Sequence, residues 1–205
     1  KKNQVILNQL LAGKKLILAS KSPRRQHLLS ELGVQFEIKL NGDEDESYPE
    51  SIPFNEIPIF LAKKKAIPFQ NKLSDNEILI TSDTIVWCNS KVLGKPIDRE
   101  DAINILSQLS NNKHVVITGV CINHRGKEHC FSALTDVYFR ELSLEEITYY
   151  VDKFKPYDKA GAYGVQEWIG YIGVERIDGS YFNVMGLPVQ KLYVELLNFF
   201  KNSDS

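Results

Sequence analysis

The chain has little of several features that mark specialised classes of protein. Among its 205 residues are one methionine and two tryptophans, and it has no apolar run of the roughly 18 residues that a membrane-spanning helix needs. The apolar core of a signal peptide is also missing near the start, because Asn8 and Gln9 separate Val5–Leu7 from Leu10–Ala12. We therefore expect a cytoplasmic protein with no membrane partner.

Cysteine is scarce as well. Three cysteines without a CxxC motif predict no disulfide framework and fit a reducing compartment. Cys121, His124, His129 and Cys130 are zinc-type ligands, and a two-residue turn at 125–126 would place Cys121 directly opposite Cys130. However, neighbouring residues of a strand point to opposite faces, so His129 and Cys130 would not converge on one ion. The spacing therefore disfavours zinc.

Charge of one sign is not in excess either. Lysine and arginine number 25 against 26 aspartates and glutamates, which gives a net charge of −1. Without a broad basic surface, a nucleic-acid partner is disfavoured. A hydrophobic content of 43% is enough for one substantial core, or for two lobes that share a cleft. We expect residues 1–205 to form one domain with two sub-lobes.

The pattern of apolar residues predicts an α/β fold. Strand 16–19, helix 23–32 and strand 34–40 would form a β-α-β opening. The remaining expected elements are a helix from about 58 to 68, strand 78–87, a helix capped by Asp98, a hairpin of strands 114–123 and 128–140, helix 144–154 with a Ser143–Glu146 capping box, loops and short strands over 157–186, and a terminal helix opened by Pro188.

The most informative segment is the turn that follows the first strand. Ser22 is a good N-cap and Pro23 suits the first helical position. Helix N-termini bind anions, and the adjacent Arg24 and Arg25 can hold phosphate oxygens bidentately. Two cations there oppose the helix dipole, so we expect that replacing either arginine leaves the fold intact. Ligand binding, in contrast, should weaken.

Two further groups of polar residues complement this turn. Asp83 lies in a polar interruption of the apolar strand 78–87, where it is either a strand-end cap or a functional carboxylate. The helix predicted from about 58 to 68 carries three successive lysines at 63–65. Of these, Lys65 is the best candidate to face a site. Lys95 precedes a proline, which restricts its backbone. One carboxylate of the acidic run 43–46, together with Asp83, would suffice for Mg²⁺ beside phosphate oxygens.

Taken together, these motifs resemble the Maf family of nucleotide pyrophosphatases over almost all of Leu16–Phe200. The segments that carry the resemblance are Ala19–Arg25, Leu61–Ala66, Ser82–Val86, Leu93–Pro96, Thr118–Val120, Asp158–Gln166, Gly179–Tyr181 and Gly186–Pro188. The resemblance implies a metal-dependent hydrolase that splits nucleoside triphosphates between the α- and β-phosphates. It also implies an elongated mixed sheet with flanking helices, two lobes around a cleft, similarity to inosine-triphosphate pyrophosphatases, and a homodimer.

The resemblance further implies roles for individual residues. Asp83 would be the proton acceptor, Glu46 would assist a Mg²⁺ or Mn²⁺ ion or a water, and the segment Lys159–Gln166 is similar to that of the branch acting on dTTP and UTP. The positions implied to shape substrate choice are Arg24, Thr84 and Gln166, and those implied to contact the triphosphate are Ser20, Arg25, Lys65 and Lys95. Asp83 and Glu46 would together hold the metal.

Three departures from the family pattern bear on these roles. Glu167 stands where a glycine is usual, Ser82 replaces the usual alanine, and the stretch before Glu46 is one residue longer, which leaves Asp45 and Glu46 as alternatives. Glu167 could narrow the base pocket if it points inward.

The predicted function is removal of non-standard nucleotides by hydrolysis. The alternative is a nucleotide-sensing interaction protein in septum control.

Overall fold

The structure is a computed structural model that describes residues 6–42 and 45–201. The strands are β1 (Lys15–Leu18), β2 (Phe36–Ile38), β3 (Glu77–Cys88), β4 (Lys91–Leu93), β5 (Lys113–His124), β6 (Lys127–Phe139) and β7 (Val174–Asp178). The helices are α1 (Ile6–Leu10), α2 (Pro23–Ser30), α3 (Ile57–Ala66), α4 (Arg99–Leu109), α5 (Leu144–Phe154), α6 (Trp168–Gly173), α7 (Tyr181–Met185) and α8 (Val189–Lys201). No helix in these two ranges is long and apolar enough to cross a membrane.

The strands form a mixed sheet, as the sequence predicts. Its order is β2-β1-β3-β5-β6-β7, and β4 pairs with β3 outside this path. β1 is parallel to both β2 and β3, with Leu18 opposite Ile38 on one side and Ile80 on the other. The pairs β3–β4 and β6–β7 are antiparallel. The β-α-β opening and the mixed α/β class are therefore confirmed.

The chain divides into two compact units. Unit 1 contains residues 1–83, 118–133 and 186–205, and unit 2 contains residues 84–117 and 134–185. Within unit 1, Ile17 and Leu79 of adjacent strands are fully buried with Ala66 at the end of α3. Within unit 2, α4 and α5 bury Leu106 and Val151 in a core that also contains Val137 of β6. Each unit thus has its own hydrophobic core.

Local capping and turn residues determine the ends of several elements. Ser143 accepts a hydrogen bond from the Glu146 N–H and Glu146 accepts one from the Ser143 N–H, so the predicted capping box starts α5. The Asp98 carboxylate caps α4 by accepting from the Asp101 N–H at 2.8 Å. The hairpin of β5 and β6 turns at Arg125 and Gly126, both with positive φ, as predicted.

The segment 157–186 departs from the expectation of loops and short strands. It contains the helices α6 and α7 besides the strand β7. Gly170 explains part of the difference, because a Cβ there would lie 1.8 Å from the Val165 carbonyl oxygen. The glycine therefore lets α6 approach the preceding turn closely, a packing requirement that its helix propensity does not reveal. Helix α1 also has no counterpart among the predicted elements.

The expectation of no disulfide is wrong. Cys121 and Cys130 are directly opposite each other on β5 and β6 and form a disulfide, while Cys88 is a buried free thiol. His124 Nδ1 instead contacts the Glu77 carbonyl oxygen at 2.8 Å, and His129 Nε2 contacts the Glu195 carboxylate at 2.7 Å. An odd number of cysteines does not exclude one pair, because two of the three are joined and the third stays free. The two histidines contact other partners.

Candidate active site

The polar interruption of β3 lies inside unit 1 rather than at its surface. Thr81 and Ser82 are fully buried, and Asp83 is 6% exposed. The Asp83 carboxylate accepts a hydrogen bond from the Lys65 ammonium group at 2.6 Å, and the Lys65 side chain is only 8% exposed. A buried carboxylate costs several kcal/mol unless it is paired. Lys65 is therefore the partner that allows an acid at this point of the strand.

Two close contacts hold helix α3 against the sheet, one with β3 and one with β5, and they place Lys65 beside Asp83. Thr81 lies on the same face of the strand as Asp83 and donates a hydrogen bond to the Ala62 carbonyl at 2.7 Å, about one helical turn before Lys65. A Cβ on Gly119 of β5 would lie 2.3 Å from the Pro58 carbonyl carbon. The absence of a side chain there allows the start of α3 to pack directly on the strand.

The two described acids of the run 43–46 lie near two different lysines. Asp45 forms an ion pair with Lys64 at 2.6 Å, and hydrogen bonds from Lys64 and Ser47 hold the pKa of Asp45 well below its ordinary value. Glu46 lies 3.9 Å from the Lys65 ammonium group, which also binds Asp83. The geometry therefore favours Glu46 over Asp45 as the second acidic residue. The other two acids of the predicted run, at 43 and 44, lie outside the described residues.

The remaining lysine of the predicted triplet contacts a different element. Lys63 pairs with Glu128 of β6 at 3.0 Å.

Beside Lys65, a cavity of about 300 Å³ lies within unit 1. Lys39, Lys64 and Phe69 are among the residues that line it. Lys64 and Lys65 therefore both line the cavity, and Lys65 lies 2.6 Å from the Asp83 carboxylate and 3.9 Å from that of Glu46.

The serine-rich turn before α2 adopts the predicted capped form. Ser22 is the N-cap, and its side chain accepts from the Arg25 N–H at 3.4 Å. The buried Ser20 hydroxyl accepts from the Ser22 N–H at 3.2 Å, and its carbonyl accepts from Gln26 at 3.1 Å. Arg24 follows at the second helical position and is half-buried. The turn is therefore ordered by its own side chains.

Arg25 has a role in the fold that the sequence did not reveal. Its Nε donates to the Gly186 carbonyl at 2.8 Å, and its Nη1 donates to the Ser82 carbonyl at 2.9 Å. The guanidinium group thereby connects α2 to the residue that precedes Asp83. These contacts argue against the expectation that the fold tolerates loss of this arginine, because two charge-assisted hydrogen bonds would be lost.

Unit 2 carries the other predicted site residues. Thr84 is half-buried on β3, and Lys95 is exposed immediately before Pro96. The Gly94 carbonyl accepts from the Gly161 N–H at 3.1 Å, which joins the Lys95 turn to the glycine-rich segment. In that segment the side-chain oxygen of Gln166 is buried without a hydrogen-bond partner. A buried acceptor without a partner is costly and suits a ligand that donates to it.

Glu167, the departure beside Gln166, contacts two residues of its own unit. Its carboxylate accepts a short hydrogen bond from the Tyr150 hydroxyl, and it lies 3.3 Å from the Lys159 ammonium group. The sequence analysis did not single out Tyr150. The signal available was a tyrosine at a buried position of α5, because a buried phenol needs a partner for its hydroxyl.

Comparison with known proteins yields strong matches. The family model for the Maf-like protein matches residues 15–199. A dTTP/UTP pyrophosphatase of Bacteroides fragilis (strain YCH46) is 57% identical over 182 residues, which are 89% of this chain and 94% of that protein. A protein of the same description from Flavobacterium psychrophilum is 48% identical over 193 residues, which are 94% of this chain and 98% of that protein.

A solved structure is also similar. It is a nucleoside-triphosphatase, a dITP/XTP pyrophosphatase from Mycobacterium abscessus, with a TM-score of 0.41 and 15% sequence identity. The similarity covers 62% of this chain and 75% of that chain.

Proposed function

The chain belongs to the Maf-like protein family, and from this premise we propose that it hydrolyses dTTP and UTP to the nucleoside monophosphate and pyrophosphate. The observation that carries the proposal is the buried Asp83–Lys65 pair with Glu46 beside it. A pyrophosphatase needs a base for water and cations for the phosphates, and these residues supply both kinds of group.

In the proposed reaction, Asp83 orients a water and accepts its proton as the water attacks the α-phosphorus. Negative charge then develops on the departing pyrophosphate. Lys65 is the cation beside Asp83, and we assign Ser20, Arg24, Arg25 and Lys95 to contacts with the triphosphate. The N-terminus of α2, which Ser22 caps, adds the positive end of a helix dipole to the same task.

A divalent metal fits the residues present. Asp83 and Glu46 each place a carboxylate oxygen near the Lys65 ammonium group, at 2.6 Å and 3.9 Å, so the two acids that the resemblance implies as metal ligands lie in one region. Carboxylate oxygens suit Mg²⁺ and Mn²⁺, and Mg²⁺ needs only one or two of them when waters and phosphates complete its shell. When bound, the ion would neutralise phosphate charge. We propose Asp83 and Glu46 as its protein ligands.

Base recognition is assigned to Gln166, together with Thr84 and Arg24 as further positions that shape substrate choice. The buried, unpartnered Gln166 oxygen would accept the N3–H of uracil or thymine, and its NH₂ group would donate to a ring carbonyl. Cytosine has no N3–H. A site that hydrogen-bonds its substrate strongly rejects an analogue that leaves its polar group unpaired.

The test is a comparison of five triphosphates with Mg²⁺ for the parent and for Gln166→Ala. We expect kcat/KM for dTTP and UTP to exceed those for CTP, ATP and GTP, and the variant to lose most of this preference. Preference of the parent for a purine would contradict the proposed substrate class. An unchanged ranking in the variant would remove Gln166 from base recognition.

The resemblance also supports a homodimeric, cytoplasmic enzyme that removes non-standard nucleotides, with neither nucleic acid nor membrane as partner. Sedimentation of the purified protein tests the first part. A single species at the monomer mass of 23.4 kDa would exclude the dimer.

A further inference from the structure

Glu167 immediately follows the proposed base-reading residue and makes contacts that its position does not require. It is the N-cap residue of α6, yet its side chain forms no capping hydrogen bond. The carboxylate instead contacts the Tyr150 hydroxyl with Oε2 and the Lys159 ammonium group with Oε1. Its place in the fold therefore joins α5 and the glycine-rich segment, all within unit 2.

Tyr150 connects both ends of one turn. Its side chain is fully buried, and its hydroxyl donates to Glu167 while accepting from the Gly164 N–H at 3.0 Å. The Glu167 N–H in turn donates to the Gly164 carbonyl at 3.0 Å. The turn from Gly164 to Glu167 is thus held by a side-chain bridge in addition to its backbone hydrogen bond.

Lys159 supplies the charge that balances Glu167. The residue is 7% exposed, and its ammonium group lies 3.3 Å from Glu167 and 2.8 Å from Asp158. The Glu167 side chain is 21% exposed, and Asp158 shares the ammonium group with it. The carboxylate at residue 167 is therefore held by two partners, the Tyr150 hydroxyl and the Lys159 ammonium group.

Gln166 lies inside this constrained turn. A Cβ built on Gly164 would lie 2.8 Å from the Glu167 carboxyl carbon and 3.1 Å from the Gln166 amide nitrogen. Both side chains therefore pack over the bare face of Gly164. The Gln166 oxygen is left buried and without a partner.

We propose that Glu167, through Tyr150 and Lys159, is a positioning residue that fixes the orientation of the Gln166 amide and so sets the preference for uracil and thymine over cytosine. The inference rests on the proposed function of Gln166. Its basis is that a primary amide is nearly symmetric in shape but not in hydrogen bonding. An amide held with its oxygen inward matches the N3–H of uracil, whereas one free to rotate by 180° also matches the N3 acceptor and amino donor of cytosine.

The experiment compares kcat/KM for UTP and CTP in Glu167→Ala, Glu167→Gln and Tyr150→Phe, with Glu141→Gln as a matched control at an exposed glutamate of the same unit. We expect Glu167→Ala and Tyr150→Phe each to lower the UTP-to-CTP ratio by about tenfold or more, the scale of one lost hydrogen bond to a charged group. Glu167→Gln can still accept from Tyr150 and should fall between them and the parent. The control should match the parent.

A second measurement separates positioning from loss of fold. Thermal unfolding identifies an assay temperature at which each variant is folded, and dissociation constants for the α,β-methylene analogues of UTP and CTP give the same ratio without turnover. Because the residues act as one unit, the double variant Glu167→Ala/Tyr150→Phe should lower the ratio little more than either single variant.

An unchanged UTP-to-CTP ratio in folded Glu167→Ala would overturn the inference and leave Glu167 as a structural tie alone. Failure of the proposed function looks different. In that case the parent itself would show no preference for UTP over CTP, or Gln166→Ala would leave the ratio unchanged while Glu167→Ala altered it.

Discussion

At the scale of single residues, the account depends on Asp83 and on the cation that pairs with it. The carboxylate is almost fully buried in a strand that is apolar on both sides of this polar interruption, and Lys65 approaches it to 2.6 Å. Two explanations of a buried acid are possible from sequence, a cap or a functional group. The Asp83 side chain accepts a hydrogen bond from Lys65 of helix α3 and lies within β3 rather than at its end. This position favours the functional explanation over a strand-end cap.

Asp83→Asn is the sharpest test of this assignment. The substitution retains shape but removes the basic oxygen, so turnover should fall by at least about 10²-fold, within the range for loss of a general base. Nucleotide binding, measured by calorimetry with a non-hydrolysable analogue, should persist. A variant that turns over at the parent rate would show that Asp83 has a structural role only.

Arg25 gives a prediction about stability. Arg25→Ala removes the donors of the hydrogen bonds to the Gly186 and Ser82 carbonyls, so the free energy of unfolding should fall by roughly 1–3 kcal/mol. Arg25→Lys retains the charge without the planar fork and should recover only part of the loss. Arg176→Ala, which removes an exposed ion pair, is the control and should change stability by less than about 0.5 kcal/mol.

Chemical denaturation measures all three variants. If Arg25→Ala unfolds at the same denaturant concentration as the Arg176→Ala control, the two carbonyl contacts do not stabilise the fold.

His114 predicts how stability changes with pH. It is 1% exposed, its Nε2 lies 2.7 Å from the Tyr163 hydroxyl, and burial lowers its pKa from 6.5 to about 3. Below pH 6.5 the His114 imidazole is protonated in the unfolded chain, whereas in the folded protein it stays neutral until the pH approaches 3. Its contribution to stability is therefore complete above pH 6.5 and is lost as the pH falls toward 3, with a slope of up to about 1.4 kcal/mol per pH unit.

Urea unfolding at a series of pH values tests this slope. His114→Gln removes the titrating group and should flatten the curve between pH 6 and pH 4. Equal slopes in parent and variant would assign the acid sensitivity to other groups.

At the scale of elements, signals contained within a few residues predicted the structure well. The Ser143–Glu146 capping box placed the start of α5, and the predicted turn at Arg125–Gly126 has the positive φ values of 49° and 73° that a tight reversal requires. Predictions failed where packing rather than a local signal determines the structure. Helix α6 depends on the close approach of Gly170 to Val165, which helix propensity does not reveal, and the Arg25 contacts join residues that are far apart in sequence.

The same limit applies to the candidate site. Residue types and spacing single out Asp83, Lys65, Lys95 and the two arginines of α2, whereas the roles of Ser20, Thr84, Gln166 and Glu46 are implied by the resemblance to the Maf family. The choice of Glu46 over Asp45 needs the distances to Lys65 and Lys64. Tyr150 has no chemical motif around it, so its bridge between Gly164 and Glu167 could only be found in the folded chain.

The hairpin of β5 and β6 offers a prediction at this scale. The Cys121–Cys130 disulfide closes a loop with a sequence separation of 9. Chain entropy then predicts that reduction lowers the free energy of unfolding by about 2–3 kcal/mol. The double variant Cys121→Ser/Cys130→Ser should show a similar loss under oxidising conditions, whereas Cys88, a free thiol, should not respond to oxidant in this way.

Melting with and without dithiothreitol measures the effect. A parent whose melting temperature is insensitive to the reductant would show that the pair does not stabilise the hairpin.

At the scale of the whole molecule, the two units carry different parts of the proposed chemistry. The acid, the lysine and the capped α2 turn belong to unit 1, and the Gln166 turn belongs to unit 2. Both units contain a core of their own, and a net charge of −1 provides no general attraction for polyanions. In the proposed function, affinity for a triphosphate therefore depends on locally placed cations and on the proposed metal. That two lobes share a cleft stays a prediction.

The most direct measurement of the central claim is ³¹P NMR of UTP incubated with the protein and Mg²⁺. The account predicts equal amounts of UMP and pyrophosphate, no reaction after chelation of the metal, and none above background with Asp83→Asn. Appearance of UDP and orthophosphate, or undiminished hydrolysis by Asp83→Asn, would contradict it.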